Sequence, residues 1–213
     1  MLTLFDYPAS ENAWKIRQLL QHLQTPHRTV TIRIFEGEGR TADYLAISPT
    51  GTVPAIRLDD GRVLSESSAI LCFLAAGTPY LPDDAFGRAK VQQWLSFEQE
   101  RVESVIGSLR YWTLTGKLER RTPPLVEMKR RAGLRSLQIL DRELATRAFL
   151  TEHGYSIADI AVFAYTSRAE EAGFSLQDFA HLRAWIARVR AQPGHLPTMH
   201  AYADDPFSTN ELP

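Results

Sequence analysis

Residues 49–68 constrain the fold of this chain more than any other stretch. Val53-Pro54 opens a short run in which Ile56 and Leu58 fall on the same face as the proline, as they do in a strand. Asp60-Gly61 follows, and this dipeptide is typical of a two-residue hairpin turn, because that turn needs positive φ at both central positions. The stretch therefore predicts a β-hairpin that opens on a proline.

The return strand of this hairpin leads directly into Ser65-Glu66-Ser67, which lies at the start of an apolar helix over residues 70–76. The first turn of a helix offers free N–H groups and a positive dipole end. Serine hydroxyls next to these groups make a ready anion-binding site. A simpler interpretation, in which the three residues only cap the helix, stays open at this point.

The segment before the hairpin alternates between strand and helix patterns. We predict a strand at residues 1–5, a helix at 12–24, a strand at 27–34 and a short helix at 41–47. With the hairpin and its helix, the order is β-α-β followed by β-β-α, which is typical of a thioredoxin-like fold.

Residues 77–84 contain a glycine, two prolines and two aspartates, and we place the domain boundary there. All that follows has helical periodicity, and we predict one long helix around residues 91–109 and a largely buried helix from Ile157 to about Ala172. Ser156 and Asp159 form a capping-box pattern at the start of one apolar helix. We predict an α/β thioredoxin-like domain over residues 1–77, then an all-α helical bundle domain over residues 86–213, ending in an irregular tail from residue 195.

Composition excludes several function classes. The formal net charge of −1 gives no reason to expect nucleic acid or an anionic membrane as a partner. The lone cysteine, Cys72, excludes an internal disulfide and a Cys-x-x-Cys redox or zinc site, and its apolar neighbours predict a buried packing role. No apolar run reaches a membrane-spanning length, and the start lacks a basic signal-peptide head. We therefore expect a cytoplasmic protein.

Val-Pro, a hairpin turn and Ser-Glu-Ser before an apolar helix resemble the glutathione-binding half of the glutathione S-transferases. The resemblance extends over nearly the whole chain. Three further segments resemble the bacterial branch of the family: residues 38–41 (Glu-Gly-Arg-Thr), 48–51 (Ser-Pro-Thr-Gly) and 155–159 (Tyr-Ser-Ile-Ala-Asp). The resemblance implies the same two-domain fold, a homodimer, and glutathione as the co-substrate without a metal.

The resemblance also implies a binding role for the hairpin. A cis bond before Pro54 would let the Val53 N–H and C=O pair with the peptide backbone of glutathione, as a neighbouring strand does. Glu66 would accept from the ammonium group of the γ-glutamyl end, and Ser67 would hold its carboxylate. The alternative for Pro54 is an ordinary trans proline at the start of a strand.

The thiol of glutathione must ionise to react, and the resemblance places its activator in the first loop. Ser10 lies in the pattern Ser-x-Asn-x-x-Lys, which resembles transferases that use Ser or Thr there. Asn12 is a second candidate donor to the sulfur. Tyr7 is the competing activator, as in the tyrosine-type classes.

Other contacts are less defined by the sequence. Many family members carry a cationic or amide side chain directly before Val-Pro, where this chain has Thr52. Arg40 or Lys15 is then the candidate for the glycyl carboxylate, and the alternative is that each is simply a solvated charge. The candidates for an electrophile pocket are aromatic: Tyr7, Tyr111, Trp112 and Tyr165.

These features predict a glutathione transferase of bacterial type that acts in detoxification, joining glutathione to a small hydrophobic electrophile. Glutathione-dependent reduction of disulfides or peroxides on the same site is an alternative. A transferase-like interaction module without activity is another alternative, although retention of Ser10, Asn12, Glu66 and Ser67 argues against it. No nucleic acid, membrane or metal partner is expected.

Overall fold

The computed structural model describes residues 1–197 and 200–212, and its contacts divide the chain into two compact units. The first unit combines Met1–Ala75 with Pro193–Pro213. The second unit is Ala76–Gln192. No helix in the described parts of the chain is both long enough and apolar enough to cross a membrane.

The first unit is built on a four-stranded sheet in the order β2-β1-β3-β4. Its strands are β1 (Leu2–Asp6), β2 (His27–Thr31), β3 (Ala55–Arg57) and β4 (Val63–Ser65). β1 runs parallel to β2 and antiparallel to β3, and β3 and β4 form the predicted hairpin. Because parallel neighbours need a crossover, the helix between β1 and β2 is required by this pairing.

The first unit also contains three α-helices: α1 (Glu11–His22), α2 (Ala42–Leu45) and α3 (Ser67–Ala75). α1 and α3 pack against each other, and their apolar faces are buried with the centre of β1 and β3. Thr41 caps α2 by accepting from the Tyr44 N–H. The thioredoxin-like arrangement predicted from the β-α-β and β-β-α order is confirmed.

The second unit is helical throughout. Its helices are α4 (Ala85–Phe97), α5 (Ser108–Leu114), α6 (Pro123–Leu144), α7 (Ile157–Thr166) and α8 (Ala180–Arg190). A π-helical stretch, Glu98–Gly107, joins α4 to α5 without a break. The single long helix predicted around residues 91–109 is therefore present, although its middle is wound more widely than an α-helix.

The capping box at the start of α7 is confirmed. The Asp159 carboxylate accepts from the backbone N–H and the hydroxyl of Ser156, at 3.1 and 3.3 Å. Its other oxygen accepts from the Leu150 N–H and the Trp185 indole N–H, at 3.0 and 2.9 Å. Asp159 is fully buried, so one carboxylate joins the start of α7 to the preceding loop and to α8.

Two elements end earlier than their sequence patterns predict. β2 stops at Thr31, because the chain then turns through the tight helical turns Ile34–Glu36 and Glu38–Arg40. α7 stops at Thr166, and a separate turn, Ala169–Ala172, precedes Gly173 at a φ of +85°. Both turns bend the chain at points that apolar periodicity alone does not mark.

The segment after α8 groups with the first unit, whereas the sequence placed it with the helical domain. Buried Gln18 of α1 accounts for this placement. Its amide donates to the Gly194 carbonyl at 3.1 Å and accepts from the Leu196 N–H at 2.7 Å. The predicted irregular character of the tail holds for its described residues, apart from one short turn, Tyr202–Asp204.

Candidate functional site

The loop between β1 and α1 is held in place by an ion pair beneath it. Arg17 of α1 donates to both carboxylate oxygens of buried Asp6, at 2.6 and 2.8 Å. The same guanidinium donates to the Pro8 carbonyl at 3.0 Å. The loop that carries Tyr7 and Ser10 is therefore fixed to the helix it precedes.

Ser10 is the N-cap of α1. Its hydroxyl oxygen accepts from the Ala13 N–H at 3.2 Å, as an N-cap side chain does. A hydroxyl that accepts one hydrogen bond still carries a proton that it can donate. The side chain is half-buried at the N-terminus of α1, where the helix dipole favours a negative charge.

Tyr7 is buried, and its hydroxyl is engaged within the first unit. The phenol donates to Asp205 Oδ2 at 2.8 Å. Its ring packs edge-on against Phe35 with a centroid distance of 5.7 Å. Since the single hydroxyl proton of Tyr7 is directed to a carboxylate, the geometry favours Ser10 over Tyr7 as a donor to an incoming sulfur.

Asn12 is oriented by Lys15. The Lys15 ammonium donates to Asn12 Oδ1 at 2.6 Å, and the Ser67 hydroxyl approaches the same oxygen at 3.4 Å. Since lysine can only donate, this contact fixes which end of the amide is the oxygen. Lys15 is fully buried, so it does not serve as a cation for a glycyl carboxylate and supports Asn12 instead.

The peptide bond between Val53 and Pro54 is cis, as the family resemblance implied. Directly before it, the Thr52 carbonyl accepts from the Tyr44 hydroxyl at 2.8 Å and from the Ser48 hydroxyl at 3.0 Å. Burial, followed by the charges of Asp6 and Glu38, raises the pKa of Tyr44, so this phenol remains a donor.

The Val53 N–H and C=O make no hydrogen bond within the described residues, although Val53 is buried. Buried backbone groups are nearly always paired in folded proteins. An extended peptide laid beside Val53 would satisfy both groups.

Glu66 and Ser67 lie where β4 passes into α3. Glu66 has a φ of +72°, a left-handed conformation that is uncommon for a residue other than glycine, and its side chain is exposed. Such conformations concentrate at functional sites, because surrounding structure must hold them. Ser67 is buried and opens α3, so its N–H belongs to the unpaired first turn of that helix.

A cavity of about 190 Å³ brings six of the predicted site residues together. Of the sequence candidates, it is lined by Tyr7, Ser10, Asn12, Arg40, Thr52 and Val53. Pro54, Glu66 and Ser67 lie outside its lining. The contact between Ser67 and Asn12 nevertheless links the start of α3 to the cavity edge.

Arg40 contributes a cation to this cavity. Its guanidinium donates to the Thr50 carbonyl at 2.8 Å and packs beside Gly51. Gly39 and Gly51 lie backbone to backbone, since a Cβ on Gly39 would stand 2.4 Å from the Gly51 carbonyl oxygen. Because neither glycine carries a side chain, the two backbone segments of the cavity wall can lie in contact at this point.

Gly39→Ala is expected to lower stability by about 1–3 kcal/mol, as overpacking does, because the cavity wall must shift. Gly61→Ala is the matched control: it strains a φ of +89° in open space at the hairpin turn. Chemical denaturation should therefore show a larger loss of stability for Gly39→Ala than for Gly61→Ala. A larger loss for Gly61→Ala would contradict the packing argument.

The remaining aromatic candidates belong to the second unit, where each has a contact within that unit. Buried Lys117 donates to the Tyr111 hydroxyl at 2.9 Å, and Lys129 lies 5.4 Å from the centre of the Trp112 ring. Tyr165 covers Gly107, where a Cβ would stand 2.9 Å from its ring. Their role in an electrophile pocket stays a prediction.

Cys72 is half-buried on α3, so the prediction of a buried packing residue is wrong. It lies between the buried face of α3 and its exposed face, where Phe73 is 46% accessible. Burial still raises the pKa of its thiol, which disfavours the thiolate. Within the described ranges, no three His, Cys, Asp or Glu side chains are grouped to hold a metal ion.

Sequence reasoning missed the contribution of the tail. Tyr202 and Leu212 line the cavity, and Asp205 binds Tyr7. Local sequence patterns could not predict these contacts, because the hydrogen bond between Tyr7 and Asp205 joins residues that are 198 positions apart. The one available signal was the recurrence of large apolar side chains in the tail, at Leu196, Met199, Tyr202, Phe207 and Leu212.

Comparison with known proteins identifies the family of this chain. Residues 9–76 match the family model for the glutathione S-transferase N-terminal domain, and residues 110–193 match that for its C-terminal domain. A crystal structure of a glutathione S-transferase from Pseudomonas fluorescens superposes with a TM-score of 0.88 at 36% identity, covering 92% of this chain and 98% of the other. The chain belongs to the glutathione S-transferase family.

Two further relatives bear on its chemistry. The disulfide-bond oxidoreductase YfcG of Escherichia coli is 26% identical over 200 residues, which are 91% of this chain and 92% of that protein. A glutathione transferase from Burkholderia graminis, solved with two glutathione molecules per subunit, is 27% identical with a TM-score of 0.78. That alignment covers 91% of this chain and 85% of the other.

Proposed function

We propose that this protein is a glutathione transferase in which Ser10 stabilises the thiolate of bound glutathione for attack on an electrophilic carbon. The carrying observation is that one cavity is lined by half-buried Ser10 and by Val53, whose peptide groups make no hydrogen bond among the residues that the structure describes. A strand-like contact at Val53 would hold the cysteinyl backbone of glutathione and bring its sulfur toward the loop.

The ends of glutathione find complementary groups around this cavity. Glu66 carries an exposed carboxylate for the γ-glutamyl ammonium, and Ser67 opens α3, where a carboxylate is favoured. Arg40 is the proposed cation for the glycyl carboxylate, because its guanidinium lines the cavity while Lys15 is buried.

The chemical step needs a thiolate. Free thiols have a pKa of about 8.5, so few are ionised at pH 7. Hydrogen bonds from Ser10, assisted by the α1 N-terminus, would favour the ionised sulfur, while the thiol proton passes to solvent. The sulfur then forms a bond to carbon, and the leaving group departs with the bonding electron pair.

Disulfide reduction is the second candidate, favoured by the similarity to the oxidoreductase YfcG. The first loop holds no cysteine, so the attacking thiolate would again be that of glutathione. It breaks the substrate S–S bond, forms a mixed disulfide with one half and releases the other half as a thiolate. A second glutathione then attacks the mixed disulfide, which releases the remaining half and leaves oxidised glutathione. An aryl halide assayed in parallel with a small disulfide separates these reactions. Faster turnover of the disulfide would overturn the transferase assignment.

Glu66→Ala is expected to weaken glutathione binding about ten- to a hundredfold, because it removes a charge-assisted contact of ~1.5–3 kcal/mol. Glu66→Gln keeps the size of the side chain and should lose most of the same affinity. The control is Glu119→Ala, at an exposed position of the second unit. Calorimetry that shows unchanged affinity for both Glu66 variants would rule out this contact.

We also propose that the protein is a homodimer, as the family resemblance implies. Several large apolar side chains of the second unit are exposed, among them Phe86 at 75% and Met128 at 58%. Sedimentation equilibrium at micromolar concentration is expected to give twice the chain mass of 24.1 kDa. A species of the single-chain mass alone would contradict the dimer.

Glutathione binding distinguishes both enzyme hypotheses from the hypothesis of a non-catalytic interaction module. A chain that does not bind glutathione at millimolar concentration would be such a module.

A further inference from the structure

The chain after α8 returns to α1, where the fully buried side chain of Gln18 makes two contacts with it. The Gln18 amide donates to the Gly194 carbonyl at 3.1 Å and accepts from the Leu196 N–H at 2.7 Å. A backbone carbonyl can only accept and a backbone N–H can only donate. The two contacts therefore fix the amide, with its nitrogen toward Gly194 and its oxygen toward Leu196.

The same amide nitrogen has a second N–H, and this one is directed to His22 at the end of α1. Gln18 Nε2 lies 2.9 Å from His22 Nε2. Because the tail contacts make the Gln18 nitrogen a donor, His22 Nε2 must be the acceptor, and an acceptor nitrogen carries no proton. The His22 ring in this arrangement is therefore neutral, with its proton on Nδ1.

The other ring nitrogen of His22 also faces the tail. A Cβ on Gly194 would stand 3.5 Å from His22 Nδ1, and the Pro193 backbone forms a hydrogen bond with the ring. Proline has no N–H, so its carbonyl accepts and His22 Nδ1 donates. Neutral His22 thus holds the tail twice, directly through Pro193 and indirectly through Gln18.

Protonated His22 does not fit this arrangement. A second ring proton, on Nε2, would set two donors against each other across 2.9 Å. Rotating the Gln18 amide by half a turn would present its oxygen to His22. That rotation would also set the oxygen against the Gly194 carbonyl and the nitrogen against the Leu196 N–H. Either arrangement leaves mismatched polar groups at a buried side chain, which is costly.

The surroundings of His22 also favour its neutral form. Burial lowers the pKa of the ring, the Pro193 carbonyl raises it by less, and no charged side chain of the described residues contributes. Gln21, beside it on α1, is neutral. The neighbouring titratable group of the tail, His195, packs edge-on against Trp14 with a centroid distance of 5.8 Å. His22 is only half-buried, so solvent protons can reach it.

We propose that His22 is a pH-sensitive switch: the neutral ring holds residues 193–196 on α1, and the protonated ring releases them. The same tail supplies Tyr202 to the cavity that Ser10 lines, so release at α1 loosens one end of a segment that completes the cavity. The switch depends on contacts within the first unit and does not require that glutathione binds.

The lowered pKa gives the direction of the pH dependence. A histidine whose folded-state pKa lies below its unfolded value contributes stability that is present above the unfolded pKa and is lost as pH falls through the folded pKa. The tail is therefore held at pH 7.5 and is released as the pH falls below about 6.5. With an open-state pKa of ~6.5, the released population rises by at most about tenfold between pH 7.5 and pH 5.5.

Hydrogen exchange at the Leu196 amide measures this population, because Gln18 accepts from that N–H in the held state. Protection factors correct for the intrinsic pH dependence of exchange. In wild type we expect the Leu196 protection factor to fall about three- to tenfold from pH 7.5 to pH 5.5. His22→Gln does not titrate in this range, so its protection factor should change by less than about twofold. His22→Ala lacks both ring nitrogens and should show weak protection at either pH.

The tail contains other titratable groups, so His195→Gln is the matched control. It removes the imidazole that packs on Trp14 and should keep the pH dependence of wild type. The switch would be overturned by a wild-type protection factor that is equal at the two pH values. It would also be overturned by a fall that persists in His22→Gln or disappears in His195→Gln.

Nitrogen-15 NMR of the His22 ring tests the hydrogen-bond assignment directly. We expect the neutral ring at pH 7.5 to carry its proton on Nδ1. A neutral ring with its proton on Nε2 would show that Gln18 does not donate to it, and the switch would lose its basis.

Discussion

Ser10→Ala is expected to lower the turnover of an aryl halide by ~10²–10³-fold. This is the usual loss of rate when one preorganised hydrogen-bond donor to an anion is removed. Glutathione affinity should stay within about twofold, because Val53, Glu66 and Ser67 carry the proposed binding contacts. Steady-state kinetics at saturating glutathione, with calorimetry beside it, measures both quantities. Partial compensation by Asn12 would reduce the loss of turnover.

The matched controls use hydroxyls in the same loop. Ser10→Thr keeps the donor and the helix cap and should retain most of the turnover. Tyr7→Phe removes a hydroxyl that is engaged with Asp205, and kcat should change little. Ser10→Ala also loses the cap of α1, worth about 1 kcal/mol, so assays belong well below its unfolding temperature. A full loss of turnover in Tyr7→Phe, with Ser10→Ala active, would contradict the assignment.

Asp159→Ala is expected to destabilise the protein by about 3–7 kcal/mol. The substitution removes the capping box of α7 and leaves the buried Leu150 and Trp185 N–H groups without their acceptor. Each buried unsatisfied group costs about 1–3 kcal/mol, and a lost cap adds ~1 kcal/mol. Chemical denaturation measures the effect. Asp178→Ala, at an exposed position of the same unit, should change stability by less than about 0.5 kcal/mol.

The contribution of Asp159 should depend on pH. Burial raises the pKa of this carboxyl from 3.8 to about 6, against the opposing hydrogen bonds from Leu150, Trp185 and Ser156. A folded-state pKa above the unfolded value gives stability that is fully present below about pH 4 and is lost as pH rises through 6. The stability gap between wild type and Asp159→Ala should therefore be larger at pH 4 than at pH 7. A gap that widens toward pH 7 would contradict this.

Local chemistry made part of this molecule predictable from the sequence. The hairpin at Asp60-Gly61 and the box at Ser156 and Asp159 are short patterns whose partners lie within a few residues, so the chain itself specifies them. The cis bond at Pro54 needed the family resemblance, because proline spacing alone gives no reason to expect it.

Long-range packing was not predictable in the same way. The burial of Lys15 depends on the approach of α3, which brings Ser67 beside Asn12. The tail is assigned to the first unit by contacts between Gln18 and Leu196 and between Tyr7 and Asp205, which are separated by nearly the whole chain. Polar residues that are so far apart in the sequence form no periodic pattern that would predict their contact, so their partners are known only from the folded structure.

The most direct test of the central claim is the ultraviolet titration of glutathione thiolate bound to wild type, Ser10→Ala and Tyr7→Phe. We expect the bound thiol in wild type to ionise well below the ~8.5 of a free thiol. In Ser10→Ala its pKa should rise toward the free value, and in Tyr7→Phe it should match wild type. A pKa that rises only in Tyr7→Phe would contradict the account and assign thiol activation to the tyrosine.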